Sequence, residues 1–461
     1  MALLSNRAHS SDAEICALDV IKYAGSRIAQ GEETQARASR PLIDINTSSR
    51  SLRGEQLVRE AVLLTFCDPL PAQCSRLLRL SDKEWWKLLH WLDISGLALY
   101  FLDRLLELDL CDLLPSTVFT RLHLNLIDNS KRTRGMIGES IMIQQGFQDA
   151  GLSYAILKGL SFWPSSVPKP ELRSQFDLDF LVDERSASEA RRILELRGYR
   201  LYAISGRSLE FKLNESPGLS LRHLYKNLPS YAVELHIEAS ARSSSSPLEQ
   251  LEIRDLGGMK MPVLSPVDLL LGQGLHAFKH ICGEFSRASH LLEFRRHVLA
   301  RRDDAAFWDK LRLAATENPR ASLGLGVITL LITRVMGDFA PEALTRWTVD
   351  ALSRPVRLWV ETYGHRIVFA SHPGNKLYLL LQQELEAAGM LGKRSVRNSL
   401  LPFRLPPPVI RAFPNEALSV RIRRYYMQLE LIMARLRFHI VEGLRFKLES
   451  GRWQRMKDLA Q

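Results

Sequence analysis

Leu157 to Val182 reads LKGLSFWPSSVPKPELRSQFDLDFLV, and its two ends decide the fold. Just before it, Ser153–Leu157 is a short apolar run suited to a buried strand, and that strand runs into Lys158-Gly159. Glycine at this turn lets backbone N–H groups approach a phosphate, and Lys158 supplies a compensating charge. At the far end, Phe176–Val182 alternates acid with apolar residues. Side chains two apart on a strand share a face, so Asp177 and Asp179 point one way while Phe176, Leu178 and Phe180 point the other.

Two carboxylates on one buried face repel each other unless a cation sits between them. In isolation, Asp-x-Asp reads more simply as two solvated acids at a strand end. The surroundings favour the cation. Arg173 precedes Asp177 by four positions and is placed to fork onto phosphate oxygens. Downstream, Ala232-Val233-Glu234-Leu235-His236 reads as a strand with Glu234 and His236 on one face. Glu234 then gives the third carboxylate of a site for two magnesium ions, which typically lie about 3.5–4 Å apart. His236 would contact phosphate, orient the acid, or be an ordinary strand histidine.

Between these strands, residues 186–197 carry helical spacing and end at Gly198, a good C-terminal cap. Strand-like runs follow at 199–204, 208–213, 219–225 and 231–237. One helix followed by closely connected strands implies an α+β core with a mixed or antiparallel sheet. We place this core at 151–255.

On either side the pattern turns helical. Residues 53–150 carry apolar positions at three- and four-residue spacing, including Trp85 to Leu110, with Asp82 fitting a helix N-cap. Trp85, Trp86 and Trp91 read as packing residues. A Ser-rich linker, Ser243–Ser246 with Pro247, closes the core, and a helical domain at 256–400 begins near Pro266. His276, Lys279 and His280 recur there at helical spacing. They read as a polar stripe or as residues lining the cleft; metal binding by the two histidines would need a partner such as Glu284. In 401–461, Pro402, Pro406, Pro407 and Pro408 forbid a helix. Beyond them, Leu418, Ile422, Tyr425, Leu429, Ile432 and Leu436 step by four and three, predicting an amphipathic helix with an Arg-rich outer face and an intramolecular apolar seam. The first 52 residues read as a mobile tail.

Composition is that of a globular chain: 46% hydrophobic and 25% charged over 461 residues. That length suggests about two to four domains. The net charge of +11 points to anionic partners. Residues 404–461 hold 12 Arg/Lys against 5 Asp/Glu, a local excess of +7. Cys16, Cys67, Cys74, Cys111 and Cys282 show no zinc-ligand spacing and read as free thiols of a reducing compartment. The start lacks the pattern of a secretory signal, and Asp12, Glu14, Glu32 and Glu33 argue against a transit segment. The longest apolar run, Ala321 to Thr333, is shorter than the roughly 20 residues a membrane span requires. A cytoplasmic protein with no membrane span is expected.

The segment from Leu157 to Val182, with Gly198-Tyr199, VELHIEAS at 233–240 and VLSPVDLLLGQGLHAFKH at 263–280, resembles the uncharacterised nucleotidyltransferase family of the DNA polymerase beta-like superfamily. The likeness extends upstream to DKEWWKLLHWLDISGLALYFLDRL, covering roughly residues 55–300. The Lys-Gly turn departs from the superfamily's commoner Gly-Ser or Gly-Gly, and Asp177 lies 18 positions after Gly159, farther than in many relatives. The resemblance implies a small mixed-sheet core flanked by helical lobes. It also implies NMP transfer from an NTP, with ATP the expected donor, to a small molecule, a peptide or tRNA. Asp177, Asp179 and Glu234 would hold Mg2+, while Lys158, Gly159, Arg173 and His236 would contact the nucleotide. The rival expectations are a non-catalytic nucleotide-binding module of the same fold and a nucleic-acid-binding protein that uses the basic C-terminal helix.

Overall fold

The computed structural model describes residues 45–213, 224–227, 231–238, 246–316, 318–390, 396–401 and 417–460. The tail up to residue 44, most of the Pro-rich stretch, residues 219–223 of one strand-like run and Ser243–Ser245 lie outside the described residues. The chain divides into two units, 1–51 and 52–461. The sheet, the helical lobes and all the candidate site residues belong to the second.

Among the described residues the sheet has seven strands: β1 (Tyr154–Leu157), β2 (Asp177–Val182), β3 (Arg200–Ser205), β4 (Ser208–Lys212), β5 (Ala232–Ile237), β6 (Leu251–Leu256) and β7 (Met259–Leu264), in the order β3-β4-β5-β2-β1-β7-β6. β2 runs antiparallel to β1 and parallel to β5, and β1 runs parallel to β7. The sheet is therefore mixed, as the strand pattern implies. It also continues past residue 255, through a hairpin that the pattern of prolines hides. Gly257 and Gly258 join β6 to β7 with φ values of 60° and 88°. A two-residue turn with both centres at positive φ matches the twist of its strands, and glycine adopts it without strain.

The apolar face of the sheet packs on α4 (Ser116–Asp149) and α5 (Ala187–Leu196). Phe180 of β2 meets Phe147 of α4 edge-on at 5.5 Å, with Leu178, Val182, Val233 and Leu235 buried around them. Burying this face fixes the register of β2, because a slip by one residue would turn the two aspartates into the core. Gly198 ends α5 at a φ of 88°.

The remaining helices are α1 (Ile45–Leu64), α2 (Asp82–Ser95), α3 (Ala98–Glu107), α6 (Pro266–Ile281), α7 (Ala288–Ala300), α8 (Ala305–Thr316), α9 (Pro319–Met336), α10 (Glu342–Thr345), α11 (Arg354–Val368), α12 (Tyr378–Ala387), α13 (Val396–Leu400) and α14 (Leu418–Ala460). Ser81, not Asp82, caps α2, and Glu84 accepts from the Ser81 backbone N–H at 2.9 Å, closing a capping box. The helices before and after the sheet share one apolar core: Trp91 and Phe101 join Leu292, Trp308 and Trp359. Trp85 is buried with them, while Trp86 is half exposed with Arg121 over its ring at 5.4 Å.

α14 docks through a different stripe from the expected one. Phe438, Phe446 and Trp453 are buried, and Glu449 accepts from Tyr363 Oη at 3.2 Å and Arg366 Nη1 at 3.0 Å. Leu418, Ile422, Tyr425, Leu429 and Leu436 stay exposed among the described residues. The period marks an apolar stripe, but the one it marks is not the one the neighbouring helices meet. Among the described residues, no helix is long and apolar enough to cross a membrane.

Candidate active site

Parallel pairing of β2 with β5 sets Asp179 directly opposite Glu234 and Leu181 opposite His236. Antiparallel pairing with β1 sets Leu157 opposite Asp179, so the residue after β1, Lys158, emerges over the same face. The carboxylates drawn from two distant stretches of sequence therefore meet. Lys158 Nζ lies 2.6 Å from Asp179 Oδ1 and 3.6 Å from Glu234 Oε2. His236 Nε2 lies 2.8 Å from Asp179 Oδ1 and 3.3 Å from Glu234 Oε2. The Asp179 side chain is 3% exposed, against 29% for Glu234 and 34% for Lys158. The cluster thus has a closed floor and an open mouth.

The Lys-Gly turn is held in an uncommon backbone shape. Lys158 has φ 46° and ψ −154°, and Gly159 follows at φ 35°. A non-glycine residue in that region is strained, and such strain gathers at functional sites. Ser161 holds the turn by donating its backbone N–H and its hydroxyl to the Lys158 carbonyl, each at 2.7 Å. A Cβ on Gly159 would press on the end of the Gln175 side chain, 2.4 Å from its Oε1, while the positive φ is what favours glycine here.

The electrostatics divide the acids. Burial pushes the Asp177 carboxyl up to about 6, and the charges of Asp179 and Glu234 push the same way. The Asp177 side chain has no hydrogen bond or ion pair among the described residues. Glu234 goes the other way, to about 2, chiefly through its hydrogen bond with His236. Burial depresses the His236 imidazolium, but its bonds to Asp179 and Glu234 outweigh that and raise it. Burial likewise opposes the Lys158 ammonium, and Asp179 overcomes it. Three carboxylates thus face one lysine and one histidine, with Asp177 left unneutralised. Asp179, Glu234 and His236 each offer a donor atom within 4.8 Å of the others, and the two carboxylates among them fit a hard divalent cation.

Arg173 is not a free fork. Its Nε donates to Glu293 Oε1 at 3.1 Å, its Nη1 reaches Gln175 Oε1 at 3.5 Å, and its guanidinium lies 5.4 Å from the Phe162 ring centroid. Glu293, on α7 and 1% exposed, also accepts from Tyr100 Oη at 2.9 Å. Arg173 still acts electrostatically on Asp177. Sequence reasoning missed Glu293, and also Arg132 of α4. The Arg132 guanidinium donates to the carbonyls of Leu224 and Lys226 and lies 4.4 Å from the Phe176 ring centroid, bracing the approach to β2. Burial lowers the Arg287 guanidinium just before α7, and the charges of Glu293 and Asp177 act on it in the opposite direction. No local pattern marks these residues, since their partners lie dozens of positions away.

The model of the family described as uncharacterised nucleotidyltransferase matches residues 81–337, more than half of the chain and all of the residues just described. The chain belongs to this nucleotidyltransferase family. No curated protein matches it. Among solved structures, ANT(2'')-Ia in complex with adenylyl-2''-tobramycin is 11% identical, with a TM-score of 0.31, covering 40% of this chain and 99% of that one. The solution structure of the antibiotic-resistance factor ANT(2'')-Ia is 13% identical, with a TM-score of 0.30, covering 41% and 95%. An antigenic nucleotidyltransferase-like protein from Paracoccidioides brasiliensis is 15% identical, with a TM-score of 0.28, covering 47% and 98%. These neighbours say nothing of any acceptor of this chain.

Proposed function

We propose that this nucleotidyltransferase, acting in the cytoplasm, moves NMP from an NTP, with ATP the expected donor, to a hydroxyl or phosphate oxygen of an acceptor. The acceptor oxygen, giving up its proton to solvent where it is a hydroxyl, bonds to the α-phosphorus, the bond from that phosphorus to the bridging oxygen breaks, and pyrophosphate leaves. The single observation that carries this reading is the direct register of Asp179 with Glu234, with Asp177 on the same face. Magnesium held by Asp177, Asp179 and Glu234 would neutralise the triphosphate and polarise the reacting phosphorus.

The chain's own residues supply the rest. His236 holds Asp179 and Glu234 in place through Nε2. Glu234, held near 2, is too weak a proton acceptor to serve well as the base, so we assign it to binding the cation. Lys158, at the mouth of the cluster, carries the charge that would meet phosphate, and the Gly159 turn leaves room for a close backbone approach. The ion pair with Glu293 makes Arg173 a fixed charge that orders the β2 approach. The acceptor, whether a small molecule, a peptide or tRNA, is left to experiment.

The test is magnesium-dependent release of pyrophosphate from each of the four NTPs in the presence of cell extract, with the labelled product identified. Asp179→Asn should abolish release. A second reading, a nucleotide-binding module without turnover, has one observation in its favour: the Lys158 ammonium already lies between Asp179 and Glu234. ATP binding by the wild type without magnesium-dependent release from any NTP would establish that reading instead.

A further inference from the structure

His276 and His280 lie one turn apart on α6, and side chains four apart share a helix face. α7 packs against α6 and brings His290 onto that face. The ring centroids are 4.7 Å apart for His276 and His280, 5.0 Å for His276 and His290, and 4.8 Å for His280 and His290. Each ring can offer one nitrogen, and these three nitrogens lie within 4.8 Å of one another. His290 is 7% exposed, and its Nδ1 is buried without any hydrogen-bond partner. A buried polar nitrogen without a partner is costly, so one aimed into a group of other nitrogens needs an explanation. The geometry points to His276, His280 and His290 as a three-nitrogen site for a transition metal of the zinc class, separate from the hard cation of the carboxylates.

The chemistry of the donors agrees. Imidazole binds metals in its neutral form. Burial holds His276 down to about 3 and depresses His280 and His290 as well, so the rings do not compete for protons near neutral pH. Three nitrogens suit zinc, nickel or copper rather than magnesium or calcium, and they leave a fourth position open. Nearby positive charge opposes a cation, but it is met in part. Arg173 is paired with Glu293 and Lys279 is solvent-exposed, while Lys158 and Arg287 still act on the rings. Glu284, the expected carboxylate partner, instead turns to Lys376 at 3.6 Å and Arg435 at 3.9 Å. The third ligand is thus a histidine from the next helix.

Titration of the chelator-treated protein with Co2+ tests this directly. One equivalent should give the visible absorption bands of a nitrogen-bound ion, and Zn2+ should displace it. His290→Phe and His276→Gln should each weaken binding more than about tenfold, with far-ultraviolet circular dichroism unchanged. Because His276 is less buried than His290, its variant reports even if His290→Phe folds poorly. Asp179→Asn should leave the bands intact. The proposal is overturned if the protein gives no visible bands. It is equally overturned if the bands survive both histidine changes, or vanish in Asp179→Asn because the ion sits at Asp179, Glu234 and His236. Pyrophosphate release is read separately, so either proposal can fail alone.

Discussion

The carboxylates of β2 and β5 and the imidazoles of α6 and α7 lie within electrostatic reach of each other, since Lys158 and Arg173 both act on His276, yet they solve opposite problems. The acids concentrate negative charge on a buried sheet face and hold it with Lys158 and His236, leaving Asp177 unneutralised. The histidines concentrate donor atoms without charge, because burial keeps the rings neutral. One cluster needs positive charge to be stable, whereas the other only needs its lone pairs used. This difference separates a hard, oxygen-loving cation from a nitrogen-loving one.

The largest effect expected from breaking this contrast is on catalysis. Glu234→Gln keeps the size of the side chain and removes the charge paired with Lys158 and His236. Magnesium-dependent pyrophosphate release should fall by roughly 100- to 1000-fold, the scale of losing one preorganised electrostatic group. Cobalt absorption at the histidines should not change. Comparable activity in wild type and Glu234→Gln would remove the third carboxylate from the site.

Glu293 stands between the two clusters, pairing Arg173 on one side while sharing α7 with His290. Glu293→Gln leaves the Arg173 guanidinium buried without its counter-charge. Breaking such a pair should cost about 3 kcal/mol, measured by urea unfolding. A loss well below 1 kcal/mol would mean that water or another acid reaches Arg173.

The acidic site was readable because a strand has period two. Asp177, Asp179, Glu234 and His236 fall on shared faces as soon as the strands are recognised, and a Lys-Gly turn after a strand is a local signal. The rest depends on packing between distant elements. Gly257-Gly258 did carry a hairpin signal, but Pro262 and the preceding serines obscured it. His290 is 10 positions from His280, and only the angle between α6 and α7 turns it towards its partners. The Glu293 pairing with Arg173 spans 120 positions and leaves no periodic trace. In α14, amphipathic spacing identified an apolar stripe, while docking was decided by Phe438, Phe446 and Trp453 on another.

Asp177 offers a finer test. With its carboxyl raised to about 6, magnesium must displace a proton below that pH. The apparent magnesium affinity should fall about tenfold for each unit below 6 and level off above it. The concentration of magnesium giving half-maximal pyrophosphate release, followed from pH 5 to 8, measures this. A flat profile would mean that Asp177 is already ionised throughout.

The smallest effect is on stability, and there the two clusters should oppose each other. Asp177 titrates near 6 in the folded chain and about 3.9 unfolded. Between those values the folded state holds the extra proton, so this group lowers stability as pH rises through the window. His276 titrates near 3 when folded and about 6.5 unfolded. Between those values the unfolded state holds the extra proton, so its contribution to stability is lost as pH falls from 6.5 towards 3. His276→Gln should therefore flatten the acid side of the stability profile, by at most about 1.4 kcal/mol per pH unit. Asp177→Asn should steepen it, because the opposing slope disappears. Urea unfolding at half-unit steps from pH 4 to 7 resolves both signs. Parallel changes in the two variants would mean that one of these groups does not titrate as its surroundings dictate.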